Sequence, residues 1–413
     1  MPRFDAELYL RLIGERMLTH LGGENRGRQR PAIAEAAAAL IAIEAIDAPR
    51  AESVLDDYSF AMSLRSDAGS RRRAMLRGPQ ASSEAKPLKA RRVVPCGRTI
   101  EQGKAALQVR YVSLSEESTA LAVTWHPGSA GPWGGGPPGA TITDDRGTTE
   151  TATFSGGGSN QGMRGRLICA RPLAPGTAWI ELDGTRLELT GKPSGFSSTL
   201  EPLPEQDPAH RYLWQRIAEP GAFDENGIEP AIDALVAARA LFAHDPLLDE
   251  MRSVLEVLQR RGAIPGAGSP SGATLMREPW RSLLARDQAA DGPTGSILLG
   301  AVPPAFDGFS VAVLDLESDE NKFRVDAEVA PAVAHRMPFD WGMGPRQLEW
   351  WAKDDRGNHY LGQPSHWSFN DDYGHGLIDF HPPLDPRATR LELMPTAQTT
   401  RAVISFSLPW AQA

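Results

Sequence analysis

The chain is poor in the residues and segments that mark several protein classes. Its 413 residues include only two cysteines, Cys96 and Cys169, too few for a disulfide framework or a four-cysteine zinc site. The longest apolar run, at residues 36–43, has eight residues, whereas a membrane-spanning helix needs about 20. The first residues show no apolar core before a cleavage site. We therefore expect a cytoplasmic protein without a membrane partner.

Complete catalytic motifs are also missing from the sequence. There is no His-Glu-x-x-His pattern, and residues 268–272 carry proline where the Gly-x-Ser-x-Gly motif has its serine. The glycine-rich residues 134–136 and 155–159 precede strand-like sequence, whereas a phosphate-binding loop precedes a helix. We expect no cofactor and no catalytic residue.

The composition is that of a globular protein with many turns. Hydrophobic residues make up 41% of the chain, and the 40 glycines and 34 prolines indicate short elements joined by turns. The net charge of −9 argues against a nucleic-acid partner. One segment departs from this balance, because residues 62–92 carry nine Lys/Arg and two acids. Such charge runs are usually solvated tethers, but polyanion binding is an open alternative.

Internal similarity is the strongest feature of the sequence. The first occurrences of the similar segments lie at residues 31–33, 53–55, 107–111, 121–125, 144–147 and 165–182. Their second occurrences follow in the same order, at offsets that grow from 199 to 202, 210 and 211. Asp-Asp-Arg-Gly, for example, occurs at residues 144–147 and again at 354–357. Chance matches would scatter their offsets, so an ordered series indicates a tandem duplication with loop insertions.

Each half has helical periodicity followed by short alternating runs every 8–12 residues. We therefore predict an α+β multidomain chain, in which a helical hairpin and an antiparallel, immunoglobulin-like β-sandwich occur twice. Asp-Asp-Arg-Gly is interpreted as a hairpin turn, since its glycine can adopt a positive φ. The predicted parts are a helical domain (1–65), a basic linker (66–92), a β-sandwich (93–195), a second helical domain (205–262), a flexible linker (263–292) and a second β-sandwich (293–413).

The β parts resemble the immunoglobulin-like sandwiches of many bacterial binding and envelope proteins. The resemblance rests on the strand rhythm and the Asp-Asp-Arg-Gly hairpins, and it covers about half of the chain. Cys96 and Cys169 bracket Trp125 and Trp133, but the Cys…Trp…Cys pattern of true immunoglobulin domains does not recur in the second half. The resemblance implies a fold and no function, because sandwiches host many functions.

Aromatic residues are concentrated in the second β part. Such rings suit protein interfaces or ligand stacking, and docking against the helical part is the alternative. Adjacent Trp350 and Trp351 must point to opposite faces of a strand, so at most one of them can fill the core. The predicted binding residues are Trp350, Trp351, Tyr360, Trp367 and Tyr373.

Four of the nine histidines lie between residues 359 and 381 of the same region. His375, Asp379 and His381 share one face of a strand in the alternation, and imidazole and carboxylate ligands suit zinc or iron. They are the candidate metal ligands, although the spacing matches no standard metal motif and surface residues are the simpler interpretation.

These observations favour a non-catalytic binding or scaffold protein. Its duplicated β modules would recognise a protein partner or ligand through the aromatic residues. The first alternative is a metal-dependent enzyme with its site in the His- and Trp-rich second sandwich. The second alternative is polyanion binding through the basic linker.

Overall fold

The structure is a computed structural model that describes most of the chain. The described residues are 4–19, 26–47, 49–51, 53–55, 88, 92–102, 105–116, 118–126, 139–159, 162–218, 228–242, 245, 247–248, 250–251, 254, 278–285, 291–330, 348–369 and 374–412. Among them, no helix is both long enough and apolar enough to cross a membrane. Most of the predicted basic linker 66–92 lies outside these residues.

The chain is β-rich, with its helices in two groups. The helices are α1 (Ala6–Thr19), α2 (Arg26–Ala42), α3 (Pro208–Ala218), α4 (Glu229–Ala237) and α5 (Trp280–Ala285). The first sheet, module 1, consists of β1 (Arg92–Gln102), β2 (Ala105–Leu114), β3 (Thr119–His126), β4 (Ala140–Asp144), β5 (Thr149–Ser159), β6 (Gly162–Cys169), β7 (Trp179–Leu182) and β8 (Thr185–Glu188). The second sheet, module 2, consists of β9 (Phe196–Pro202), β10 (Gly295–Ala301), β11 (Ser310–Ser318), β12 (Phe323–Ala330), β13 (Glu349–Asp354), β14 (His359–Phe369), β15 (Gly374–His381), β16 (Arg390–Thr396) and β17 (Thr400–Ser407).

The two sheets have the same strand order. Module 1 runs β1-β2-β3-β6-β5-β4-β7-β8, and module 2 runs β10-β11-β12-β15-β14-β13-β16-β17, with β9 added beyond β17. Every strand pair is antiparallel. This identity of order is what a duplicated β module predicts.

Each sheet rolls around an apolar core of its own. In module 1 a single core cluster takes side chains from most strands, among them Val94, Leu107, Ile142 and Leu187. The two ends of the sheet meet, because β1 contacts β8 and the Nη2 of Arg92 donates to the carbonyl of Leu189, the residue after β8. One continuous sheet that encloses its core differs from two stacked sheets, and the predicted immunoglobulin-like sandwich is therefore not confirmed.

The Asp-Asp-Arg-Gly segments form the predicted hairpin turns. Gly147 and Gly357 have φ values of +79° and +85°, which only glycine adopts without strain. The Oδ1 of Asp144 accepts two backbone N–H groups, and Asp354 does the same in module 2. The second aspartate of each segment accepts a backbone N–H from the loop before the next strand of the sheet order. In both modules the motif therefore stabilises the turn and attaches it to that loop through hydrogen bonds from backbone N–H groups to aspartate side chains.

The pairing registers correct part of the sequence alignment. Tyr111 pairs with Ala122 in module 1, and Asp315 pairs with Asp326 in module 2, so β2 and β3 align with β11 and β12 at an offset of 204. The predicted offset of 202 is two residues short there. A strand repeats its facing every two residues, so the shifted alignment still matched inward with inward positions except at Tyr111, which follows a bulge and faces module 2, whereas Val313 lies in the core.

The helices form two layers beside module 2. The outer face of β13, β14, β16 and β17 packs on α3, α4 and α5 through one apolar cluster. The helices α1 and α2, with helical residues between 49 and 55, form a second cluster that includes Ala234 of α4. Glu35 of α2 accepts hydrogen bonds from Tyr212 and Arg216 of α3, both at 2.8 Å. The helical layers therefore join the first part of the chain to module 2.

The second helix of each layer ends in the same way. Glu44 and Arg239 have positive φ, and the residue after each donates its N–H five residues back, the hydrogen-bond pattern of a Schellman cap. These caps lie 195 residues apart, about one helical turn from the predicted offset of 199. A duplicated hairpin is not confirmed, because residues 20–25 and 219–227 lie outside the described part of the chain.

Two elements differ from the predicted boundaries. Residues 196–202, which were assigned to no domain, form β9 and pair with β17 of module 2. The predicted flexible linker 263–292 contains α5, whose Trp280 is buried against α3 and β13.

We expect Asp354→Ala to destabilise the protein more than the equivalent Asp144→Ala. Asp354 also accepts hydrogen bonds from the side chains of Asn358 and Tyr360, at 2.8 and 2.7 Å. At about 1 kcal/mol for each lost hydrogen bond, the difference between the variants should be about 2 kcal/mol in denaturant unfolding. Equal losses would show that the additional bonds contribute nothing.

Candidate functional site

The predicted aromatic residues are structural where the structure describes them. Trp350 lies in the enclosed core of module 2, and Trp351 lies in the cluster between the sheet and the helices. The prediction that they point to opposite faces is confirmed. Tyr360 is fully buried, where its hydroxyl donates to Asp354 and accepts the N–H of Asp385. The side chain of Trp367 and all of Tyr373 lie outside the described residues.

Trp351 is covered by the helical layer and offers no surface to a partner. Its ring meets the Trp280 ring edge-on, with centroids 5.1 Å apart, and Trp280 in turn lies 5.8 Å from Trp214. The Nε1 of Trp351 donates to the Oε2 of Glu349 at 2.9 Å. Burial raises the pKa of Glu349 to about 7, although this hydrogen bond acts in the opposite direction. The aromatic side chains thus attach the helices to module 2.

The three predicted metal ligands do not converge. His375 and Asp379 are four residues apart on one strand, which separates them by about 13 Å. Asp379 is held by Lys322 and Arg324 at 2.7 and 3.2 Å, and these cations lower its pKa against the effect of burial. Burial lowers the pKa of His381. Among the residues that the structure describes, no group of three or more His, Cys, Asp or Glu side chains is arranged to hold a metal ion.

The cysteines are poor nucleophiles at neutral pH. Both are free thiols. Burial raises the pKa of Cys96 to about 11 and that of Cys169 to about 12. Because the thiolate is the reactive form, both side chains remain protonated and act as small apolar groups.

A cluster of buried charges lies between the modules among the described residues, and no sequence pattern pointed to it. Arg166 of module 1 donates to Asp326 and Glu328 of module 2. Arg110 pairs with Asp315, and its Nη2 lies 3.7 Å from the Oδ2 of Asp326. Each of these side chains is at most 15% exposed. The modules are therefore joined through a cationic face and an anionic face.

The environment of the two aspartates in this cluster differs. Burial would raise the pKa of Asp326, but the guanidinium groups of Arg166 and Arg110 lower it. Tyr111 adds a hydroxyl that donates to Asp326 at 2.7 Å. Burial raises the pKa of Asp315 to about 6 despite its pairing with Arg110. Asp326 is thus the ionised centre to which the cations of module 1 bind.

A β-bulge places Arg110 in this interface. The β2–β3 register shifts between Val109 and Tyr111, so Val109 and Val112 both face the core although they are three positions apart. Module 2 has the same shift, between Val313 and Asp315. The break in alternation is visible in the sequence and could have indicated the bulge, but nothing in the sequence assigns the partner of Arg110.

A small cavity lies at this interface. It has a volume of about 20 Å³ and is lined by Arg110, Ser155, Arg164, Arg166 and His375, among others. That is room for one water molecule. The Nε2 of His375 lies 3.5 Å from the Ser155 hydroxyl. The ion pairs that line this space link module 1 to module 2, so the cluster serves the joint between the modules.

The described surface offers one unprotected strand edge, at β9. Phe196 and Leu200 are 41% and 38% exposed, and residues 196–200 contain no charge and no proline. The other terminal strands carry features that commonly prevent an edge strand from pairing with another chain. β1 carries Arg98, Glu101 and a bulge, β8 is four residues long with two charges, and β10 has a bulge. β9 is therefore the candidate binding surface.

The direction of the β9 backbone groups follows from two hydrogen bonds. The N–H of Leu203 donates to Thr399, the residue before β17, so odd-numbered residues face β17 and even-numbered ones face away. Consistently, the N–H of Ser194 points away from β17 and donates to Leu298 of β10. Pro202 has no N–H. The free edge therefore consists of the backbone groups of Phe196, Ser198 and Leu200.

Comparisons with known proteins identify no family. No family model and no curated protein matches the chain. A crystal structure described as the conserved domain protein from Bacillus anthracis aligns with 74% of this chain and 78% of its own, at 10% identity and a TM-score of 0.20. A similarity this low carries no information on fold or function.

We expect Arg166→Met to destabilise the protein by about 3–5 kcal/mol, because it leaves Asp326 and Glu328 buried without their cation. Chemical denaturation measures the loss. Arg171→Met is the matched control, since Arg171 is 83% exposed in its pair with Glu150, and its effect should stay below about 1 kcal/mol. Similar losses in the two variants would contradict a structural role for the interface cluster.

Glu349→Gln should flatten the pH dependence of stability. Between about pH 4 and 7 the unfolded chain ionises Glu349 while the folded protein keeps it protonated, so its contribution to stability falls as pH rises through this range. Asp315 acts in the same direction below about pH 6. The melting temperature of the variant should therefore fall less from pH 5 to pH 8 than that of the wild type. The exposed Glu188→Gln should retain the wild-type slope, and a wild-type slope in Glu349→Gln would refute the assignment.

Proposed function

We propose that the protein is a non-catalytic binding or scaffold protein, and that module 2 captures an extended protein segment by strand addition at β9. The observation that carries this proposal is the free edge at residues 196–200. Its outward backbone N–H and C=O groups have no neighbouring strand, it carries no charge, and two of its apolar side chains are exposed. Strand addition to an open sheet edge is a recurrent mode of peptide recognition, in which backbone hydrogen bonds supply affinity.

The position of Phe196 and Leu200 supports this proposal. They lie directly opposite Phe406 and Ala402 of β17, whose side chains belong to the enclosed core of module 2. The core-facing side of the sheet thus continues onto β9, where its apolar surface is no longer covered. A strand added beyond β9 would bury this surface and would satisfy the outward backbone groups at the same time.

We propose further that the two modules arose by duplication of one β module. Their common strand order, their matching bulges and their equivalent hydrogen bonds to the turn aspartates support this origin. In this proposal the two modules serve different roles. The cationic face of module 1 and the anionic face of module 2 serve the joint between them, and β9 supplies the outward surface.

The two alternative functions have weaker support. A metal-dependent enzyme would use His375, Asp379 and His381, of which His375 faces the joint and Asp379 is held by two cations. Polyanion binding through residues 62–92 stays a prediction, because only residue 88 and residue 92 of that segment are described.

The test is binding of a strand-forming peptide. The probe is a fluorescein-labelled peptide of alternating threonine and valine with a lysine at each end, and the readout is fluorescence anisotropy at low protein concentration. We expect saturable binding to the wild type and binding at least about tenfold weaker in Ser198→Pro, which removes an outward N–H and its hydrogen bond.

Ser198→Ala is the matched control, because it keeps the backbone N–H and should bind the peptide like the wild type. Circular dichroism checks that both variants retain the fold, as an edge strand tolerates proline where its N–H faces solvent. No saturable binding to the wild type, or equal affinity in Ser198→Pro, would refute strand addition at β9.

A further inference from the structure

We infer that the segment captured at β9 is β9 of a second copy of this chain, so that the protein forms a twofold dimer through the two edges. This inference rests on the proposed strand addition and names its partner. The dimer would join the two nine-stranded sheets into one continuous antiparallel sheet.

The free edge is symmetric about Ser198. Its limits are Ser194, whose N–H is already bonded to β10, and Pro202, which has no N–H. Both lie four residues from Ser198. A twofold axis through Ser198 therefore brings the free stretch of one copy against the free stretch of the other without leaving either of them partly uncovered.

The backbone groups match in this register. An antiparallel pair exchanges hydrogen bonds between directly opposed residues that both face the partner strand. With the axis at Ser198, Phe196 lies opposite Leu200 of the second copy, and Ser198 lies opposite its own equivalent. All of these residues are even-numbered, and the even-numbered residues of β9 face away from β17.

The side chains match as well. The pair of Phe196 with Leu200 occurs twice, on the core-facing side, and directly opposed apolar side chains of this kind stabilise antiparallel strands. On the other side Ser197 lies opposite Thr199 of the second copy. Glu201, the only charged residue of β9, lies opposite Gly195 rather than another charge. The sequence around Ser198 is thus complementary to itself in the antiparallel direction.

Two double variants test this register, because Ser197 and Thr199 are both exposed. In Ser197→Lys/Thr199→Lys, each lysine would oppose a lysine of the second copy, and the dimer should dissociate at least about tenfold more readily. In Ser197→Lys/Thr199→Glu, each lysine would oppose a glutamate, and the dimer should be tighter than that of the first variant by about tenfold or more at low salt. The variants change the same two positions, so a general effect on β9 would alter both alike.

The measurement is sedimentation velocity over a concentration series from about 1 to 200 µM, with circular dichroism as the check on folding. The wild-type mass should rise from the monomer value of 44.7 kDa towards twice that value. A wild type that stays monomeric at all concentrations overturns the dimer. A dimer that responds equally to the two charge variants also overturns it, because it must then use another surface.

The peptide experiment separates this failure from that of the proposed function. If the wild type stays monomeric but binds the threonine–valine peptide in a Ser198→Pro-sensitive manner, the dimer is refuted and strand addition stands. If neither association nor peptide binding is found, both are refuted.

Discussion

The ion pairs of Arg166 with Asp326 and Glu328 determine how the two modules meet. Charges buried in a protein interior are costly unless each one finds its partner. Equivalent positions of the two modules differ accordingly. Ala122 occupies the position of Asp326, and Leu377 occupies that of Arg166. The two related faces thus fit each other, and neither fits a copy of itself.

Periodicity explains why the repeat was visible in the sequence while its register was not. The alternation of apolar and polar residues predicted which side chains point inward. The Asp-Asp-Arg-Gly turns of the two modules match at an offset of 210 residues, because their hydrogen bonds require the same residues in both. Within β2 and β3 the apolar pattern matches equally well after a shift of two residues. Sequence therefore predicted two strand-rich parts of the chain, and the order of the strands came from the structure. The rolling of each sheet around its core depends on contacts between residues far apart in the chain, and the strand rhythm is the same in a sandwich and in a rolled sheet.

The binding and metal residues show the limits of local patterns. Alternation placed Trp350 and Trp351 on opposite faces, but burial of Trp351 depends on Trp280, which lies in a stretch that looked like a linker. Aromatic enrichment marked a helix–sheet contact rather than an exposed site. The pairing of Arg166 with Asp326 spans 160 residues, and only the packing of complete modules brings them together. The edge at β9 was not predicted, because its seven residues lie between two predicted domains and were interpreted as a connecting segment.

The chain between the modules is itself a strand of module 2, and this affects how the protein can be made. β9 is synthesised about 200 residues before β17, the strand with which it pairs. Translation at about 5–20 residues per second leaves it without this partner for at least about ten seconds. Phe196 and Leu200 are exposed in the nascent chain throughout that interval. All strands of module 1 precede β9 in the chain, so module 1 is complete while the edge of module 2 still lacks β17.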